Sequence, residues 1–218
     1  MTSRAHSYSG RRAALFSRDG KEVAVELPLR FELGIELTVF CGSTSSPDAE
    51  LTMTPMQTCV IEAKSAMQAT GLPLGLASFV APAPSGRSEL TIACAETMVF
   101  IDEERSAVVC ETLAPCGSNF SRRRSSGLSD LGGWLRGIGF PSHAVVVIAD
   151  SADDCCVEKG IVSLDKLADA LAKAVSVSSD GKACVQTDMR ANLNRTRLTG
   201  IQRLAFRLAR HVAAAERR

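Results

Sequence analysis

The ten residues Asp188-Met189-Arg190-Ala191-Asn192-Leu193-Asn194-Arg195-Thr196-Arg197 bring together an acid, three arginines, two asparagines and a threonine just ahead of an apolar-periodic segment. Side chains of these types at the start of a helix suit anion recognition, because the first N–H groups of a helix are unpaired and its dipole is positive there. Phosphate or carboxylate is the natural ligand. A local alternative accounts for the same residues: Asn194 or Thr196 caps the helix while Arg190 pairs with Asp188. Both readings stand at this point.

Other chemistry-bearing residues are sparse. Of the three histidines, His6 and His211 lie near the ends, and His143 follows Gly139-Phe140-Pro141-Ser142 at the entrance to an apolar run. There it is a structural hydrogen-bonder or a catalyst, the former being the commoner role. Lys159-Gly160-Ile161 sets a cation beside a residue that permits close backbone approach. Arg122-Arg123-Arg124-Ser125 suggests a phosphate contact, a nucleic-acid contact or a kinase site, but without interleaved aromatics it reads as a mobile solvated loop. The eight cysteines, Cys41, Cys59, Cys94, Cys110, Cys116, Cys155, Cys156 and Cys184, contain no Cys-x-x-Cys pair. Cys59, Cys94, Cys110 and Cys184 read as buried reduced thiols, and Cys155-Cys156 as an exposed, oxidisable pair among acids. Glycine-rich phosphate loops, His-Glu-x-x-His and Gly-x-Ser-x-Gly are all absent, so no reaction and no cofactor is specified.

The elements that must hold these residues follow from periodicity. Arg12 to Ser17 reads as a strand, Lys21 to Leu33 as a helix weakened by Pro28 and closed by Gly34, and Ile35 to Cys41 as a second, parallel strand. A polar loop, Gly42 to Glu50, precedes a helix over Met56 to Thr70 whose stripe is Met56, Val60, Ala63 and Met67. Leu74 to Val80 is a strand, Ala81 to Ser88 a Pro-Gly-Ser loop, and Leu90 to Ile101 pairs with Ala107 to Glu111 as a hairpin. After the basic, serine-rich Ser118 to Ser129 come a short helix at Leu131 to Ile138, a buried strand at Ala144 to Ala149 and helices over Leu164 to Val175 and Arg197 to Val212. The expected fold is a single α/β domain with a mixed β-sheet flanked by helices, spanning 8–215 between a disordered 1–7 and a tail at 216–218.

Composition agrees with an ordinary globular chain: of 218 residues, 45% are hydrophobic and 22% charged. No apolar run approaches the roughly 20 residues of a membrane span. The Arg- and Ser-rich start resembles an organelle transit peptide, although Arg12 to Ser17 fits a strand equally well and cytoplasmic residence is expected. Net charge is +1, yet Asp188 to Arg218 carries +6, leaving −5 elsewhere. That asymmetry directs the C-terminal segment toward an anionic ligand or toward acids of its own domain.

Several of these segments resemble an uncharacterised family, domain of unknown function family 6671, over most of the chain. The resemblance rests on Tyr8-Ser9-Gly10-Arg11-Arg12-Ala13-Ala14-Leu15 running through Asp19-Gly20-Lys21-Glu22, on Ile61 to Met67 followed by Thr70 to Ser78, and on Ser118-Asn119-Phe120. It also rests on Gly139 to His143, Lys159-Gly160-Ile161, and Asp188-Met189-Arg190-Ala191 with Asn194 and Arg197. The chain departs from the family where Phe79-Val80-Ala81-Pro82 replaces an acidic turn and where a cysteine-containing tail would follow Arg218. Beside it, a looser similarity to house-cleaning nucleoside-triphosphate pyrophosphatases implies Glu62 and Lys64 near phosphates gripped by Arg190 and Arg197. The acid expected after Ser78 for metal and water activation is missing.

These readings place a cleft for a phosphorylated or anionic small molecule at Asn119, His143, Lys159, Asp188, Arg190, Asn194 and Arg197. A metal-dependent pyrophosphatase, which needs two carboxylates converging near Arg190, and an interaction protein using its basic C-terminal helix are the alternatives. A membrane partner is excluded and nucleic acid is not favoured. Oligomeric state is open.

Overall fold

The computed structural model describes residues 7–42, 53–83, 93–113, 119–150 and 157–216, and the chain divides into two compact units. The first takes in the described parts of 7–83, 93–113 and 198–216, and the second those of 119–197. Most of the expected loop at Gly42 to Glu50, the loop beyond Ala83, Cys116 and the Cys155-Cys156 pair lie outside the described residues, as do the termini apart from Ser7 and Glu216.

The first unit opens β1 (Arg12–Phe16), α1 (Glu22–Leu33), β2 (Glu36–Phe40), α2 (Pro55–Thr70) and β3 (Leu74–Ala83), and continues into β4 (Ala93–Asp102) and β5 (Ala107–Leu113). Its five strands lie in the order β2-β1-β3-β4-β5. β1 pairs in parallel with both β2 and β3, whereas β3, β4 and β5 run antiparallel, so the sheet is mixed, as expected. Ala13 to Phe16 are all buried, which is why β1 reads as an unbroken apolar run. Pro28 does not interrupt α1: it packs into the core, and the helix continues to Gly34, whose positive φ of 70° lets its N–H close onto Arg30.

α2 begins with a capping box, in which the Thr54 hydroxyl accepts the Gln57 N–H and the Gln57 side chain accepts the Thr54 N–H at 2.8 Å. Its buried face is turned from the expected one. Cys59, Glu62, Ala63, Ala66 and Met67 face inward, while Met56 is 45% exposed. The helix lies close to the sheet at Gly75 of β3, where an added Cβ would collide with the Met67 sulfur and stand 3.1 Å from the Ala63 carbonyl oxygen. Ala63 and Met67 of the expected stripe pack there, whereas Met56, in the first turn, is left at the rim.

The second unit carries β6 (Arg122–Ser125), α3 (Gly132–Ile138), β7 (Val145–Ala149), β8 (Val157–Ile161), α4 (Leu164–Val177) and β9 (Ala183–Thr187), and it includes the start of α5 (Arg195–Ala215). Its sheet has the order β6-β9-β7-β8 and is antiparallel throughout. One face packs against α3 and α4 through residues such as Leu135, Val145, Val147, Leu167, Leu171 and Val185. The Arg122 to Arg124 segment, expected as a loop, is an edge strand paired with β9. Three exposed arginines on an outer strand are a normal way of keeping an unpaired edge from recruiting another chain.

Of the cysteines expected to be buried, Cys59 is so among the described residues, and Cys110 and Cys184 are less enclosed. Cys59 is fully buried, and burial pushes its thiol well above the ordinary range. Cys110 and Cys184 are partly buried and shifted the same way for the same reason. No helix among the described residues is long and apolar enough to cross a membrane.

Candidate functional site

The second sheet has two unlike faces. Val145 and Val147 point into the core beneath the helices, and by strand alternation Val146 and Ile148 point the other way. On that other side lies a cavity of about 460 Å³, floored by Val146, Ile148 and Val157. Gln186, Thr187, Asp188 and Met189 continue the wall, and Lys159, Arg190 and Arg197 supply its cations.

Asp188 organises this wall. Its carboxylate is 3% exposed and accepts the Arg190 backbone N–H at 3.0 Å, the Arg190 Nε at 3.1 Å, the Arg190 Nη2 at 2.6 Å and the Gly160 N–H at 3.1 Å. Burial alone would raise its pKa, but hydrogen bonds and charge from Arg190, with the Gly160 N–H, outweigh burial and hold it below the usual carboxylate range. The arginine is fixed in direction while its side chain stays 44% exposed.

Gly160 makes the approach possible. Two residues of β8, Lys159 and Gly160, stand opposite the single Val146 of β7, forming a β-bulge between the Val145–Ile161 and Val147–Glu158 pairs. Gly160 has φ +74°, and a Cβ there would come within 3.0 Å of Arg190 Nη2 and 3.3 Å of Leu193 Cδ1. The bulge turns the Gly160 N–H onto Asp188 while Lys159 lines the cavity.

Behind the wall runs a buried polar network. Asn194, fully buried, donates from Nδ2 to the Asn119 side-chain oxygen at 2.9 Å and to the Asp188 carbonyl at 3.1 Å, and its own oxygen accepts the Arg197 N–H at 3.0 Å, capping α5. Arg197 donates to the Met189 carbonyl at 2.5 Å. His143 stands apart from the cavity lining. Its Nε2 lies 2.9 Å from the Thr196 hydroxyl and accepts the Thr196 N–H at 3.2 Å, and its Nδ1 lies 3.3 Å from the Gly139 carbonyl. Through these contacts the His143 ring bridges the loop and the first turn of α5.

Of the seven residues picked from the sequence, the structure brings Lys159, Asp188, Arg190 and Arg197 to one cavity. It sets Asn119 and Asn194 behind it as supports and His143 as a brace. Both local roles foreseen for the segment are present: Asn194 caps the helix, and Arg190 pairs with Asp188. In α5, Arg207 and Arg210 bond Glu111 at 2.6 Å and Glu32 at 2.8 Å, so part of the C-terminal positive charge is matched by acids of the first unit.

Sequence reasoning missed a second polar cluster, in the first unit. Lys21, only 5% exposed, donates to the Ser78 carbonyl at 2.7 Å and lies 3.3 Å from its hydroxyl, and that hydroxyl donates to the buried Glu96 at 3.1 Å. Buried Glu62 pairs with Arg18 at 2.6 Å. The cluster sits just beyond the carboxyl end of β1, where the parallel pairing of β1 with β3 stops midway along β3, and the strand order diverges there, the usual ligand position in an open α/β sheet. No sequence signal predicts that Lys21 turns inward, although the Asp19-Gly20 turn ahead of it was legible. Glu96 also stands beside Ser78, supplying from β4 a carboxylate that the residues after Ser78 do not. Among the described residues, no three His, Cys, Asp or Glu side chains are grouped to hold a metal ion.

No curated protein and no solved structure matches the chain. A family model does, over residues 62–216, a span that includes Glu62, Ser78, Glu96 and every residue of the second unit's cavity. The chain belongs to that family, Domain of unknown function (DUF6671).

Proposed function

We propose that the second unit binds a small anionic molecule, a phosphate ester or a free carboxylate with an apolar portion, in the cavity beside Asp188. The supporting observation is the composition of that one cavity: three cations, Lys159, Arg190 and Arg197, stand over an apolar floor of Val146, Ile148 and Val157. An anion would meet Arg190 already oriented by a buried carboxylate, which lowers the ordering cost of binding. The apolar floor would take the rest of the molecule. Asn119 and Asn194 support the wall, and His143 holds the loop that precedes β7.

Binding is favoured over metal-dependent pyrophosphate hydrolysis by the acids at the cavity. Hydrolysis of that kind calls for a carboxylate with oxygens to spare, whereas both oxygens of Asp188 are engaged by Arg190 and Gly160. The test is thermal-shift screening against phosphorylated and carboxylated metabolites, with hits measured on Arg190→Ala. Losing a charge-assisted contact of about 1.5–3 kcal/mol should weaken binding roughly ten- to a hundred-fold. Because Asp188 loses its partner, stability should fall as well, by about 1–3 kcal/mol after allowing for the arginine's exposure. A hit whose thermal shift survives the substitution would remove Arg190 from the site.

A further inference from the structure

The outer face of α1 carries three large apolar side chains at four-residue spacing, Val23, Leu27 and Phe31, exposed by 61%, 55% and 75%. Residues so spaced form one ridge along a helix, and an apolar ridge left in water marks a contact surface. Phe206 of α5 extends it, with its ring 6.5 Å from that of Phe31 in an edge-on arrangement. Beside the ridge, on the same exposed face, stand Glu26 and Arg30, neither with a side-chain hydrogen bond or ion pair among the described residues.

We infer that this face is the contact between two copies of the chain, packed α1 against α1 in antiparallel fashion about a two-fold axis at Leu27. The pattern is complementary to itself. Rotation about Leu27 sets Val23 opposite Phe31 of the second copy, small against large, and Leu27 against its own equivalent. The same rotation brings Glu26 to within about 3 Å, measured along the helix axis, of Arg30 in the other copy, at a rise of about 1.5 Å per residue. Two such ion pairs form per dimer, one on either side of Leu27 along the apolar ridge. A two-fold contact requires one patch to match itself, and the opposite charges and unequal side chains of α1 meet that requirement. The inference is independent of the anion site, since every residue involved lies in the first unit.

Sedimentation equilibrium of the full chain, from submicromolar to high micromolar loading, should show the mass rising from 23.1 kDa toward twice that value. Leu27→Asp combined with Phe31→Asp should hold the mass at the monomer value with an unchanged circular-dichroism spectrum, because both residues are exposed. Arg30→Glu alone and Glu26→Arg alone should each weaken association about ten-fold or more, by placing like charges opposite one another. Glu26→Arg with Arg30→Glu should restore it to within about three-fold of the parent. A parent chain that stays monomeric, including because a different protein covers α1, would overturn the inference. So would a dimer indifferent to Leu27→Asp and Phe31→Asp, or a double reversal as weak as the single ones.

Discussion

The two units treat charge in opposite ways. In the first, Lys21, Glu62, Glu96 and Asp102 are each at least nine-tenths buried, and Lys21 is bonded to the sheet beneath it. In the second, one acid among the described residues, Asp188, is buried, and it holds a half-exposed arginine at the edge of a cavity. A buried charge whose partners are all internal fixes the chain's own conformation, whereas a charge held still at a surface remains able to meet something else. The first unit therefore has the better position for a ligand, at the ends of its parallel strands, and the second the better-presented groups.

That contrast can be broken most severely at Lys21. Lys21→Ala leaves the Ser78 carbonyl without its donor and the buried Glu96 without the nearby positive charge. It should cost about 3–5 kcal/mol in urea unfolding and leave any ligand-induced thermal shift intact. Loss of ligand binding in a folded Lys21→Ala protein would make the first unit the binding unit.

Asp188→Asn should show the next largest effect, and a pH dependence. Because the folded pKa of Asp188 is depressed, its contribution is fully present above the ordinary carboxylate range and is lost as pH falls through the folded value. The stability difference between parent and Asp188→Asn, about 2–3 kcal/mol at pH 7, should shrink as pH drops below about 4. A difference that is constant from pH 7 to pH 3 would mean that the charge on Asp188 contributes nothing.

Gly160→Ala should cost about 1–2 kcal/mol, since it forces a side chain into left-handed backbone beside Arg190. It should also weaken anion binding by displacing Arg190, so binding unaffected by the substitution would separate the bulge from the site. The smallest change in stability belongs to Lys159→Ala. Lys159 is exposed with no partner among the described residues, so the melting temperature should hold while anion affinity drops roughly three- to ten-fold. Isothermal titration would detect it.

The first sheet was legible in the sequence because each of its strands is an apolar run bounded by turn residues and its helices end on Gly34 and Gly71. The α2 stripe was read correctly at Ala63 and Met67, which pack at Gly75, but not at Met56, because periodicity alone cannot show that the first turn of the helix stays at the rim. In the second sheet only β7 stood out. β6 is Arg-Arg-Arg-Ser, β9 is a mixture of small and polar residues, and β8 places two charged residues and a glycine among its five, so cross-strand pairing rather than composition makes them strands. The Asp188 to Arg197 segment at the cavity was legible since its residue types lie close together in the chain. The Lys21–Ser78–Glu96 cluster was not, because its members come from three elements whose adjacency only the sheet order reveals.

The bulge at Gly160 also acts as a change of phase. In a regular strand Val157, Lys159 and Ile161 would all emerge on one side, yet Val157 and Lys159 line the cavity while Ile161 is buried opposite Val145 in the core. One extra residue lets a five-residue strand serve the cavity with its first half and the core with its last. Without the bulge, strict alternation would put Lys159 and Ile161 of the same five residues on one face, and the strand could place either Lys159 at the cavity or Ile161 in the core, but not both. The lining of the cavity and the packing of the second unit's core thus depend on the same miscount between two strands.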